Sequence, residues 1–133
     1  MQREKFIKDF YAQWNAANPE KRIYNNNLQA FIYVRFLSIQ ETSEKAARSY
    51  KSTLAVTYLT EILELAVVIN RTNPKTGNKK QSRFSEIIIM QYRKANFGLI
   101  KLTVGILRGS REKLQYCITA IEKTTVQPAT NTQ

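Results

Sequence analysis

FSEIIIMQYRKANFGLIKLTVGILRGSREKLQYCITAI, residues 84–121, holds three successive runs of β-forming residues. Apolar residues recur through it at every second position, the period of a half-buried β-strand. In Phe97–Arg108 (FGLIKLTVGILR), Ile100, Leu102, Val104 and Ile106 share one face, while Lys101, Thr103 and Gly105 take the other. Phe84–Arg93 (FSEIIIMQYR) and Lys113–Ile121 (KLQYCITAI) are similarly rich in β-formers, and Ala95-Asn96 and Gly109-Ser110 supply turns between the runs. The expected product is a three-stranded antiparallel meander, with an apolar face for helices and a more polar face for solvent or ligand. On simple alternation Glu86 shares a face with Phe84 and Ile88.

Upstream the period changes to that of a helix. Phe6, Ile7, Phe10, Tyr11, Trp14 and Ala17 recur at three- and four-residue steps over Glu4–Ala17, and Asn18-Pro19 ends the run. After Asn25-Asn26-Asn27, the positions Leu28, Phe31, Ile32, Arg35, Phe36 and Ile39 fit helical spacing, yet Phe31–Phe36 consists largely of β-formers. Helix or strand is open there, and a strand would give the sheet a fourth member. Thr42-Ser43-Glu44 offers an N-cap and an acidic first turn to a further helix over residues 44–69. Its seam is Ala47, Tyr50, Leu54, Tyr58, Ile62, Leu65 and Ile69. The expected fold class is therefore α+β, N-terminal helices packed on a C-terminal three-stranded, or four-stranded, antiparallel meander. One domain covers residues 1–123, with a helical region over residues 1–70, a basic loop over 71–83 and the sheet over 84–122. Residues 124–133, polar and containing Pro128, read as a frayed tail.

Charge is distributed unevenly along this plan. From Arg71 to Lys113 eleven Lys and Arg face two Glu, a surplus of nine, whereas residues 1–70 hold nine bases and seven acids. Like charges gathered so closely cost stability unless they face solvent or a polyanion, and phosphate neutralisation with counterion release is the usual gain. The stretch Arg71–Arg83 lacks large apolar residues and carries Pro74 and Gly77, so it reads as an exposed loop.

Several classes of function are excluded by composition. The chain has no histidine, which removes Ser-His-Asp and Cys-His catalysis and the ordinary neutral-pH general base. Its one cysteine, Cys117, allows neither an internal disulfide nor a cysteine-based zinc site. The four glycines (77, 98, 105 and 109) form no phosphate-binding loop motif. The start, MQREKFIKDFYAQWN, lacks the apolar core of a signal peptide, and the longest apolar run, Leu65–Ile69, is far short of the ~20 residues that span a bilayer. No cofactor and no metal are expected, there is no membrane span, and the expected location is cytoplasmic.

The candidate nucleic-acid-binding residues are Lys75, Lys79, Lys80, Arg83, Arg93, Lys94, Arg108, Arg111 and Lys113. In an antiparallel meander Arg83 lies near Arg108, which joins Lys79, Lys80, Arg83, Arg108, Arg111 and Lys113 into one rim. Arg93 and Lys94, with Lys101, mark the opposite rim. Tyr92, Phe97 and Tyr116 are the candidate aromatics on which bases of single-stranded nucleic acid or RNA would stack. A catalytic version of the same surface would set Arg83 and Arg108 on a phosphoryl transition state, with Tyr116, Lys79 or Glu86 moving protons.

Helices, a basic loop and the hairpin LIKLTVGILRGSREKLQYCITAIE (Leu99–Glu122) together resemble the barnase/RelE-like ribonuclease group, as carried by phage and mobile-element polyproteins. The resemblance implies a twisted antiparallel sheet and RNA cleavage. The barnase branch usually relies on a histidine, so for this chain it implies the RelE-type branch, which works with Lys, Arg and Tyr. Three readings stand side by side: a nucleic-acid-binding accessory protein of a phage or mobile element, a histidine-free ribonuclease, and a protein-interaction or assembly module whose interface is helix 44–69, open to a homodimer, with the charge directed at an acidic protein or membrane surface.

Overall fold

A computed structural model describes residues 2–34, 47–74, 84–107 and 116–124. Helix α1 (Gln2–Ala17) is followed by strands β1 (Arg22–Asn25) and β2 (Ala30–Tyr33). Helix α2 (Tyr50–Ala55), a 3₁₀ turn (Val56–Tyr58) and helix α3 (Leu59–Leu65) then run on without a break. Strands β3 (Val67–Thr72), β4 (Phe84–Lys94), β5 (Gly98–Leu107) and β6 (Tyr116–Thr124) complete the chain.

The strands form one six-stranded sheet in the order β1-β2-β6-β5-β4-β3. Strand β2 runs parallel to β6, and every other neighbour is antiparallel. The expected three- or four-stranded antiparallel meander is thus corrected to a mixed, curled half-barrel, of which the meander β4-β5-β6 is one half. Extra residues at Ile69, Ser85 and Thr119 interrupt the ladders and add curl to the sheet.

Two of the differences from expectation arise where helical and strand spacing coincide. Ile23 and Ile32 alternate inward from a hairpin whose register is Ile23↔Ile32 and Tyr24↔Phe31, so Phe31 lies in a strand. The helix expected to reach Ile69 stops at Leu65, because Ala66 turns extended (φ −60°, ψ 146°) and the β-branched Val67 and Val68 pair with Gln91 and Met90 of β4. Arg71 and Thr72, expected in the loop, belong to β3. The N-cap at Thr42-Ser43-Glu44, the turn Gly109-Ser110, the tail 125–133 and most of the loop, residues 75–83, lie outside the described residues.

The helices cover one face of the sheet. Ile7, Tyr11 and Trp14 of α1 and Leu59, Ile62 and Leu63 of α3 pack on Ile88, Met90, Ile100, Leu102, Val104, Ile118 and Ile121. Trp14 Nε1 also donates to Thr60 Oγ1 at 2.9 Å, which fixes α1 against α3. The second face is less polar than alternation implied: Phe84, Ile87 and Cys117 are buried there with Tyr33, Ile89 and Leu107 beside them. The bulge at Ser85 is the reason Phe84 joins them, since it sets Phe84 opposite Leu107 and Glu86 opposite Ile106. Phe84 and Glu86 therefore occupy different faces, against the alternation reading.

Curl brings the β1–β2 turn to the end of α3. Asn25, fully buried, donates through Nδ2 to the carbonyls of Leu63 (2.8 Å) and Ala66 (3.0 Å). Its Oδ1 accepts from the Asn27 and Leu28 amides at 2.9 and 2.7 Å. Asn26 N donates to Glu64 O at 3.0 Å, and Val68 N in the far edge strand donates to Asn27 Oδ1 at 2.8 Å. The asparagine triplet thus ties the first strand pair to the last edge of the sheet.

Candidate nucleic-acid interface

Strand register determines which segments of the basic stretch meet. Phe84 pairs with Leu107 and Ile106 with Tyr116. Thr72 pairs with Ile87, only a few residues from Phe84. The described chain on both sides of segment 75–83 and of segment 108–115 therefore lies at one end of the sheet. Lys75, Lys79, Lys80, Arg83, Arg108, Arg111 and Lys113 themselves lie outside the described residues.

Arg93 and Lys94, at the other end of β4, separate onto opposite faces. Arg93 is exposed, sits opposite Leu99, and has no ion-pair partner among the described residues. Lys101, opposite Gln91, shares its face. Lys94 turns toward the helices, where its Nζ lies 3.1 and 3.0 Å from the two carboxylate oxygens of Glu61 and 4.9 Å from the Tyr58 ring centre. Its charge is already answered within the fold.

Glu61 also accepts the Tyr92 hydroxyl at 2.6 Å. That hydrogen bond, followed by the one from Lys94, holds the Glu61 carboxyl below its ordinary range. In return the hydrogen bond to Glu61, then burial, raises the Tyr92 phenol, and the hydrogen bond to Glu61 raises the Lys94 ammonium. A lowered carboxyl contributes stability above its unfolded value and loses it as pH falls through the folded one. A raised phenol or ammonium contributes at low pH and loses it as pH rises through the folded value. Glu61→Gln is thus expected to lower the thermal midpoint by a few degrees at neutral pH, and the gap to the parent should close below about pH 4. Melts of both proteins across acid pH check this, and a gap of constant size would show that the charge on Glu61 contributes nothing.

The aromatics expected to stack bases are committed elsewhere. Tyr92 is bonded to Glu61, Phe97 meets Tyr58 edge-on at 5.4 Å, and Tyr116 is half-buried against the core. Of the proton-transfer candidates, Glu86 is paired with Arg71 at 3.0 Å, a contact partly open to solvent. No cluster of His, Cys, Asp and Glu among the described residues could hold a metal ion. Of the helix seam expected to dimerise, Ile62 is buried in the core and Ala47 and Tyr58 pack against it, while Tyr50, Leu65 and Ile69 are exposed.

A different set of side chains is exposed, on the β1–β2 hairpin. Tyr24 and Phe31 face each other across the strands, edge to face at 5.4 Å, and are 44% and 38% accessible. The Arg22 guanidinium lies 3.9 Å from the Phe31 ring centre, donates through Nη1 to Tyr33 Oη at 3.1 Å, and donates through Nε to Glu20 at 3.1 Å. The sequence signal for this set is the alternation Arg22-x-Tyr24 and Phe31-x-Tyr33 on either side of the asparagine triplet. Reading Phe31 as helical conceals it.

No helix among the described residues is long and apolar enough to cross a membrane. Comparison with family models, with curated proteins and with solved structures returns no match.

Proposed function

We propose that this protein binds single-stranded nucleic acid, with its phosphate contacts made by the basic residues at one end of the sheet. The observation that carries the reading is the register Phe84↔Leu107 and Ile106↔Tyr116, which roots both basic segments at that end. Segment 75–83 brings four bases and no acid, and segment 108–115 brings three bases and one acid. Such a concentration binds backbone phosphate through counterion release, without reading sequence. A cytoplasmic location accords with such a partner.

Reversing Lys79, Lys80 and Arg83 together to Glu is expected to weaken binding to a single-stranded oligonucleotide roughly 100-fold near physiological salt, since about three phosphate contacts are lost. Thermal melts of parent and variant confirm that both are folded. Fluorescence anisotropy reads the affinity. An unchanged dissociation constant would remove segment 75–83 from the interface.

A further inference from the structure

The β1–β2 hairpin places two exposed rings and a guanidinium beside the point where the second basic segment rejoins the sheet. Strand β2 runs parallel to β6 with Ile32 opposite Tyr116, and Phe31 is one step closer to the end from which segment 108–115 enters. Phe31 and Tyr33 alternate with the inward-facing Ile32, so they share the second face with Cys117, which pairs with Tyr33. Tyr24, opposite Phe31, extends the same row to the outermost strand.

We infer that Tyr24, Phe31 and Arg22 form a stacking platform for the bases of a single strand whose phosphates are held by the adjoining basic end. This rests on the nucleic-acid reading above and adds to it the base-contacting portion of the site. The chemistry fits the occupant: aromatic faces and arginine planes stack on any base, whereas a duplex offers them no free base. Arg22 is held by Tyr33 and Glu20, so its guanidinium plane is set against the Phe31 ring before any ligand arrives. A preset plane reduces the ordering cost of stacking. An acidic peptide would meet the same cationic setting, but its carboxylates gain nothing from exposed rings.

A cross-strand aromatic pair also stabilises its own hairpin, so the test retains apolar, extended side chains at both positions. The double variant Tyr24→Leu with Phe31→Leu is compared with the parent on a single-stranded RNA of about 12 nucleotides and on an abasic strand of equal phosphate number. The parent is expected to bind the base-bearing strand about tenfold more tightly than the abasic one. In the double variant that preference should vanish while affinity for the abasic strand is retained, with thermal melts confirming that the variant is folded. Equal binding of both strands by the parent overturns this inference and leaves the phosphate reading intact. A preference that survives in the folded double variant overturns it as well. Failure of the parent to bind either strand overturns the phosphate reading and this inference together.

Discussion

Asn25→Ala is expected to lower the thermal midpoint by roughly 10–15 °C, a loss of about 3–4 kcal/mol. The side chain is fully buried and serves four backbone groups, the carbonyls of Leu63 and Ala66 and the amides of Asn27 and Leu28. Alanine supplies none of these bonds, and the stranded groups cannot all reach water, so their desolvation goes uncompensated. The loss is also not local, since the turn joins β1 and β2 to the end of α3 and, through Asn27, to β3. Asn25→Asp tests which half of the amide matters. It can still accept from the two amides but sets a carboxylate against the Leu63 and Ala66 carbonyls, so it should be at least as damaging at neutral pH. Asn26→Ala is the control, because Asn26 contributes its backbone amide to Glu64 and its side chain is exposed. A midpoint for Asn25→Ala no lower than that of Asn26→Ala would show that the turn does not close the curl.

Gly105→Val should cost about 3 kcal/mol, at the upper end of overpacking penalties. A Cβ on Gly105 would come within 2.6 Å of two atoms of the Phe84 ring, which lies against this position of β5. Strand β5 is flanked by β4 and β6 and cannot retreat, and Phe84 is only 2% accessible. Valine adds two further methyl groups to a contact that alanine already makes too close unless the ring shifts. Shrinking the ring should restore some of the loss: Phe84→Leu in the Gly105→Ala background is expected to be less harmful than the two single changes added together. Urea melts of the four proteins give the coupling. Strictly additive losses would mean that the ring and the glycine do not share the space.

The same contact shows what local pattern can and cannot convey. Strands β4, β5 and β6 are legible because each is nine residues or longer and rich in β-formers, with clear alternation in β5, and the Ala95-Asn96 turn is found where expected, with Asn96 at φ 64°. Strands β1 and β2 have four residues each, too few for period two to be told from helical steps of three and four. Pairing of β2 with β6 joins residues more than eighty apart in parallel, and no local pattern encodes that. The single extra residue at Ser85 reverses the face of Phe84, and bulges leave no signature in an apolar run.

The site divides in the same way. Segregation of charge is a property of composition and is plain in the sequence, as is the return of both basic segments to one end once β4 and β5 are paired. Lys94 cannot be separated from Arg93 by sequence, because its partner Glu61 lies on a helix thirty-three residues earlier. Tyr92, Phe97 and Tyr116 look available beside basic residues, yet their neighbours in space tie them to the core. The aromatic pair on the first hairpin becomes visible only when that segment is recognised as two strands.

Salt dependence of binding reports whether the basic segments hold nucleic-acid phosphate. Affinity for a fluorescent single strand would be measured by anisotropy from about 50 to 300 mM salt, with a duplex of the same sequence alongside. The expected result is a linear log-log plot whose slope corresponds to several phosphates, with the single strand bound more tightly than the duplex. Weak binding of both at about 150 mM, with a shallow slope, would contradict it, and the positive charge would then serve another partner.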